Sequence, residues 1–141
     1  MRYLVAVDGS DASSAALDHA CTLAERVDGR LSLAHAVNPQ VYEEGGVRRD
    51  GDTLIESVND AERRGERLLA EVDDRVADRG VACEATHLLY GEPTQVIPEL
   101  AAEESYDGIV VGHRGLSDAS DRVLGSVAVG LLDRTDVPVT V

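Results

Sequence analysis

Two short stretches of this sequence combine residue types that could do chemistry. One is Gly112-His113-Arg114-Gly115, followed after nine residues by Gly125-Ser126. Glycines at 112 and 115 bracket a tight turn and leave no side chain between a ligand and the backbone N–H groups. Gly125-Ser126 is placed to open a helix, whose free amides and positive dipole end attract an anion. The Ser126 hydroxyl adds a donor, and the whole would be a phosphate cradle made of main chain. The same residues also suit a plain turn and a plain helix cap, and both readings stay open. The other stretch is Asp8-Gly9-Ser10, an acidic turn in which Asp8 either faces a ligand or caps the following helix.

Much other chemistry is excluded by what the chain lacks. All 13 basic residues are Arg, so there is no Walker A lysine for β- and γ-phosphates and no Schiff-base amine. Cys21 and Cys83 form no CxxC and read as small buried apolar residues of a reducing compartment. His19, His35, His87 and His113 show no metal-ligand spacing, and His113 reads as solvent-facing. Arg114 and Arg122 either offset phosphate charge or pair with Asp118 and Asp121. No residue is set up as a general base for a γ-phosphate and no arginine finger is evident, so binding without efficient turnover is expected.

The charge balance narrows the partners. Asp and Glu number 27, giving a net charge of −14, and such a surface repels nucleic acid and anionic lipid. Self-repulsion of this size is screened in molar salt, where the Debye length is about 3 Å, and a halophilic host with a salt-rich cytoplasm is the expectation. No apolar run approaches the roughly 20 residues of a membrane span, and MRYLVAVDGS does not read as a leader. A soluble cytoplasmic protein is expected.

The elements that must position these loops alternate along the chain. Tyr3 to Val7 is an apolar run that reads as a strand buried on both faces. A helix follows from Ser10 or Asp11 to about Val27, with Ala16, Ala20, Leu23 and Val27 as its inner face. Arg30 to Val37 is a second strand, and residues 38–52 read as a mobile surface loop. A helix is predicted from Thr53 to about Arg79, its seam running through Leu54, Val58, Ala61, Leu68, Val72 and Val76 with Gly65 in one turn. Val81 to Leu89 is a third strand, Thr94 to Glu104 a helix, and Gly108 to Gly112 a fourth strand. A last helix begins near Gly125-Ser126, and Val137 to Val141 is a fifth strand, in which Pro138 removes one N–H and so limits edge pairing. This βα alternation, with no hairpin signal, predicts one α/β domain over residues 1–141. Its core would be a single five-stranded parallel sheet with helices on both faces. With strand order 3-2-1-4-5, both candidate loops would meet at the switch point, beyond the carboxyl ends of strands one and four.

The spacing Gly112-x-x-Gly115-x9-Gly125-Ser126 resembles the nucleotide loop of the universal stress protein family. The opening VAVDGSDASSAAL and the ending VPVTV resemble its first and last strands, so the resemblance covers essentially the whole chain. It implies a flavodoxin-like, adenine nucleotide alpha hydrolase-like fold that binds ATP or another adenine nucleotide, with Mg2+ accompanying it, in a stress-response or signalling role. By position, Ala6 and Val7 would line the adenine pocket, and Val37 would offer its backbone to the adenine edge. Asp8 would approach the ribose or a nucleotide-bound Mg2+. Val111, Gly112, Arg114 and Gly115 would frame ribose and phosphates, and Gly125, Ser126, Val127 and Ala128 would hold the phosphate tail. The resemblance also implies a homodimer joined through Val137–Val141. A nucleotide-independent dimerisation module and a slow ATP hydrolase are the alternatives on the same fold.

Overall fold

The computed structural model describes residues 1–39, 47–48, 55–112, 130 and 135–141. Its elements are β1 (Arg2–Ala6), α1 (Asp11–Val27), β2 (Arg30–Val37), β3 (Val47–Arg48), β4 (Ile55–Glu56), α2 (Val58–Asp78), β5 (Ala82–Tyr90), α3 (Pro93–Glu103), β6 (Gly108–Val110) and β7 (Val139–Thr140). Five strands form one sheet in the order β5-β2-β1-β6-β7, every pairing parallel. This is the predicted 3-2-1-4-5 order. β1 lies at the centre because its side chains are apolar on both faces, and alternation divides them between two cores. Val5 and Val7 pack with Ala16, Leu17 and Ala20 of α1 and Leu69, Val72 and Val76 of α2. Leu4 and Ala6 pack on the opposite face with Ile97 and Ala101 of α3, together with Tyr106 and Ile109. Helices therefore cover both faces.

Local signals set the helix ends. Ser10 caps α1 by accepting from Ser13 N, and Asp28 ends it in the left-handed region at φ 51°. Ser57 and Asp60 form a reciprocal capping box that starts α2. That cap corrects the predicted start at Thr53: the helix begins five residues later, and Ile55–Glu56 instead pairs antiparallel with Val47–Arg48. The absence of a hairpin signal was therefore misleading, because two-residue strands carry no readable period. Residues 40–46 and 49–54, the rest of the predicted mobile loop, and Leu54 of the predicted seam lie outside the described residues.

The inner face of α1 also differs from the prediction. Ser13, Ala16, Leu17, Ala20, Cys21 and Ala24 are buried, whereas Val27 is 44% exposed. The stripe runs through Ser13, and that polar residue can face inward because its hydroxyl is hydrogen-bonded. In α2, Gly65 lets the helix approach the sheet: a Cβ there would stand 2.7 Å from His35 Cδ2 and 2.8 Å from Leu88 Cδ1. At the β7 edge, Pro138 O and Thr140 O accept from Ile109 N and Val111 N of the β6 segment. Main-chain groups alternate sides along a strand, so the donor that Pro138 lacks belongs to the inner side. Val139 presents its groups to the open edge, contrary to the predicted limit. Among the described residues no helix is long and apolar enough to cross a membrane.

Candidate functional site

The carboxyl ends of β1 and β6 meet the first turn of α1. Gly112, just past β6, lies against that turn so closely that a Cβ would stand 2.7 Å from Ala12 C and 2.8 Å from Ala12 O and Ser13 N. Only a glycine fits a backbone approach of this kind. The acidic turn and the start of the glycine-rich segment therefore share one wall, as the predicted switch point requires.

Hydrogen bonds hold the acidic turn rigid. Asp8 Oδ1 accepts from Ser10 N at 2.9 Å and from Ser10 Oγ at 2.6 Å. Ser10 Oγ accepts from Ser13 N at 3.1 Å, and Asp8 N donates to Ser13 Oγ at 3.1 Å. These four bonds close a loop between turn and helix. Gly9, at φ +84°, supplies the left-handed residue that the turn needs. The plain capping role considered for this turn is thus filled, by Asp8 and Ser10 acting together. Oδ1 is committed to Ser10, and Oδ2 is the oxygen a ligand hydroxyl or a hydrated cation would meet.

The neighbouring strand fixes the floor. Ala6, Val7, Val37 and Val111 are all buried, so they offer a ligand main chain and little side-chain surface. Val7 N donates to Ala34 O at 2.9 Å, and Val7 O lies 2.7 Å from His35 Nδ1. A carbonyl only accepts, so Nδ1 carries the proton. Val37 O accepts from Gly91 N at 2.8 Å, which commits one lone pair of the residue whose backbone is expected to meet an adenine edge. Gly91 reaches that position at φ +133°, a region closed to other residues.

A cleft of about 260 Å³ opens beside the turn, lined by Asp8, Gly9, His35, Arg64, Arg67, Leu68 and Glu71. Among the described residues no group of three or more His, Cys, Asp or Glu could hold a metal. Asp8 alone suits a Mg2+ that keeps its waters and takes other ligands from phosphates. Neither cysteine has reactive character: both are free, burial pushes both thiols up, and Cys83, which Asp73 also raises, reaches about 12.

Of the predicted site residues, Ala6, Val7, Asp8, Val37, Val111 and Gly112 come together at these strand ends. Arg114, Gly115, Gly125, Ser126, Val127 and Ala128 lie outside the described residues, as do His113 and Arg122. The sequence reading missed Ser13, His35 and Gly91. Ser13 had a legible signal, three residues after a helix-capping Ser10. His35 had none, since it sits inside a strand with nothing marking its ring for the Val7 carbonyl.

Known proteins match this chain along its length. The sequence profile of the Universal stress protein family matches residues 1–141. Universal stress protein YxiE of Bacillus subtilis is 32% identical over 144 residues, spanning 99% of this chain and 97% of that protein. A crystal structure of a universal stress protein in complex with cAMP is 28% identical, with a TM-score of 0.68 over 99% of this chain and 93% of that one. The universal stress protein from Archaeoglobus fulgidus in complex with dAMP is 26% identical, with a TM-score of 0.71 over 99% and 95%.

Proposed function

The chain belongs to the universal stress protein family, and from that premise we propose that it binds an adenine nucleotide, ATP first, in the crevice between the acidic turn and the glycine-rich segment. The observation that carries the proposal is the seat of Gly112 on the Ala12–Ser13 peptide. It sets the start of the segment with nucleotide-loop spacing against the helix turn whose Ser13 hydroxyl accepts from Asp8 N. The relatives crystallised with cAMP and dAMP support an adenine nucleotide as the ligand class.

In this reading Ala6, Val7 and Val37 floor the base pocket, and Asp8 Oδ2 takes ribose hydroxyls or a water of Mg2+. Val111, Gly112, Arg114 and Gly115 frame the ribose and phosphates, and Gly125, Ser126, Val127 and Ala128 hold the tail through main-chain N–H groups. Mg2+ bound with the nucleotide supplies charge compensation that a chain of net charge −14 needs. In this reading the protein serves as a nucleotide-dependent stress-response or signalling module of the cytoplasm with little or no hydrolysis. The single domain spans residues 1–141. Two copies pair through Val137–Val141, where Val139 faces the open sheet edge.

Equilibrium dialysis with labelled ATP, in high KCl with Mg2+, tests the reading. Saturable binding that Gly115→Val abolishes is expected, together with an adenine nucleotide in the mass spectrum of gently purified protein. Absence of saturable binding to the folded protein refutes it. Sedimentation velocity over the micromolar range should show a dimer, and a monomer throughout would remove the proposed pairing.

A further inference from the structure

The cleft lined by His35, Arg64 and Arg67 includes neither Val111 nor Gly112, so it faces the acidic turn from the α2 side. Arg64 and Arg67 are three residues apart on α2 and are neighbours on one helix face. Among the described residues Arg67 forms no ion pair, although Glu71 stands one turn away and the chain has twice as many acids as bases. His35 is fixed by its bond to Val7 O and by the close approach of Gly65. With Nδ1 thus occupied, Nε2 is the nitrogen left for another partner. When neutral it accepts from a hydroxyl, and when charged it donates to an oxyanion. Asp8 also lines the cleft, but its Oδ1 already accepts two hydrogen bonds. Asp8 Oδ2 and the Glu71 carboxylate are the remaining acidic oxygens of the cleft.

Two guanidinium groups and an imidazole border about 260 Å³, room for a small oxyanion together with water, and a planar guanidinium meets phosphate oxygens in pairs. We propose that this cleft is a second binding site, for a phosphate-class oxyanion held by Arg64, Arg67 and His35. Its occupant is inorganic phosphate or the phosphoryl end of a small phosphomonoester. It lies across the turn from the nucleotide crevice, and both sites touch Asp8.

The test is a titration of the full-length protein with inorganic phosphate at constant KCl, followed through the imidazole ¹⁵N resonances of His35. A parallel titration with methyl phosphate distinguishes a free ion from a phosphomonoester end. Saturable shifts are expected, with affinity falling at least about tenfold in Arg67→Gln and in Arg64→Gln, as loss of a charge-assisted bond predicts. Arg26→Gln, which removes the same charge from the last turn of α1, leaves the affinity unchanged. Gly115→Val retains phosphate binding while losing ATP, so failure of one site is read separately from failure of the other. The proposal is overturned if His35 does not respond, if Arg26→Gln weakens phosphate as much as Arg67→Gln does, or if Gly115→Val removes the response. Melting curves of each variant confirm that folded proteins are being compared.

Discussion

Adding one methyl group at Gly112 tests the apposition of the two loops directly. In Gly112→Ala the new Cβ would stand 2.7 Å from Ala12 C and 2.8 Å from Ala12 O and Ser13 N. These are backbone atoms of a capped helix turn, so no rotamer change relieves the contact. Overpacking of this kind costs about 1–3 kcal/mol, and the lower chain entropy of unfolded alanine returns about 0.4–1 kcal/mol. The expected net loss is about 1–2 kcal/mol, or roughly 3–8 °C in Tm for a chain of this size. Gly65→Ala is the informative contrast. Its Cβ would meet side-chain atoms, His35 Cδ2 at 2.7 Å and Leu88 Cδ1 at 2.8 Å, while the helix gains about 0.8–1 kcal/mol in propensity. Leu88→Val should therefore recover stability in the Gly65→Ala background, whereas no side-chain truncation should rescue Gly112→Ala. Urea unfolding at fixed KCl measures both, alongside ATP dialysis, where Gly112→Ala should also weaken binding. A Gly112→Ala protein with wild-type midpoint and wild-type ATP affinity would show that the loops are not held together by this contact.

Other consequences follow from the same structure. Ser10→Ala removes the α1 cap and the hydroxyl bond to Asp8 Oδ1, while the bond from Ser10 N remains, and urea unfolding should show a loss of about 0.5–2 kcal/mol; an unchanged midpoint would mean that the hydroxyl bonds at the turn add nothing. The thiol of Cys83 is pushed up to about 12 from an unfolded value near 9. Its contribution to stability is thus full below pH 9 and is lost as pH rises toward 12, a loss that Cys83→Ser should remove from the pH profile. Iodoacetamide at pH 8 should label Cys83 far more slowly in the folded protein than in urea. With a net charge of −14, the melting temperature should climb with KCl concentration, and a flat or falling trend would exclude salt adaptation.

The sheet was legible because burial on both faces forces apolar runs at Tyr3–Val7 and Gly108–Val111, and the order 3-2-1-4-5 places both candidate loops at a switch point. Gly112 was legible for a related reason, since a glycine after a buried strand marks a backbone that something approaches. What escaped the sequence depends on partners distant along the chain. The effect of Pro138 was misjudged because the side its missing donor faces is set by the register with β6, which composition does not encode. The β3–β4 ladder was invisible because strands of two residues have no alternation to detect. At the candidate site, the sequence marked the acidic turn and Gly112 but gave no sign of the ring of His35 or of the Gly91 bond to Val37.

The central position of β1 has a consequence for synthesis. Its inner neighbours are β2, near in sequence, and β6, which begins at Gly108. At about 5–20 residues per second, several seconds separate the emergence of β2 from that of β6. Throughout that interval Leu4 and Val5 belong to a strand with one bare flank. The nascent chain therefore spends much of its translation with the middle of its future sheet open to strangers, and a holding factor at the ribosomal exit would find its substrate there.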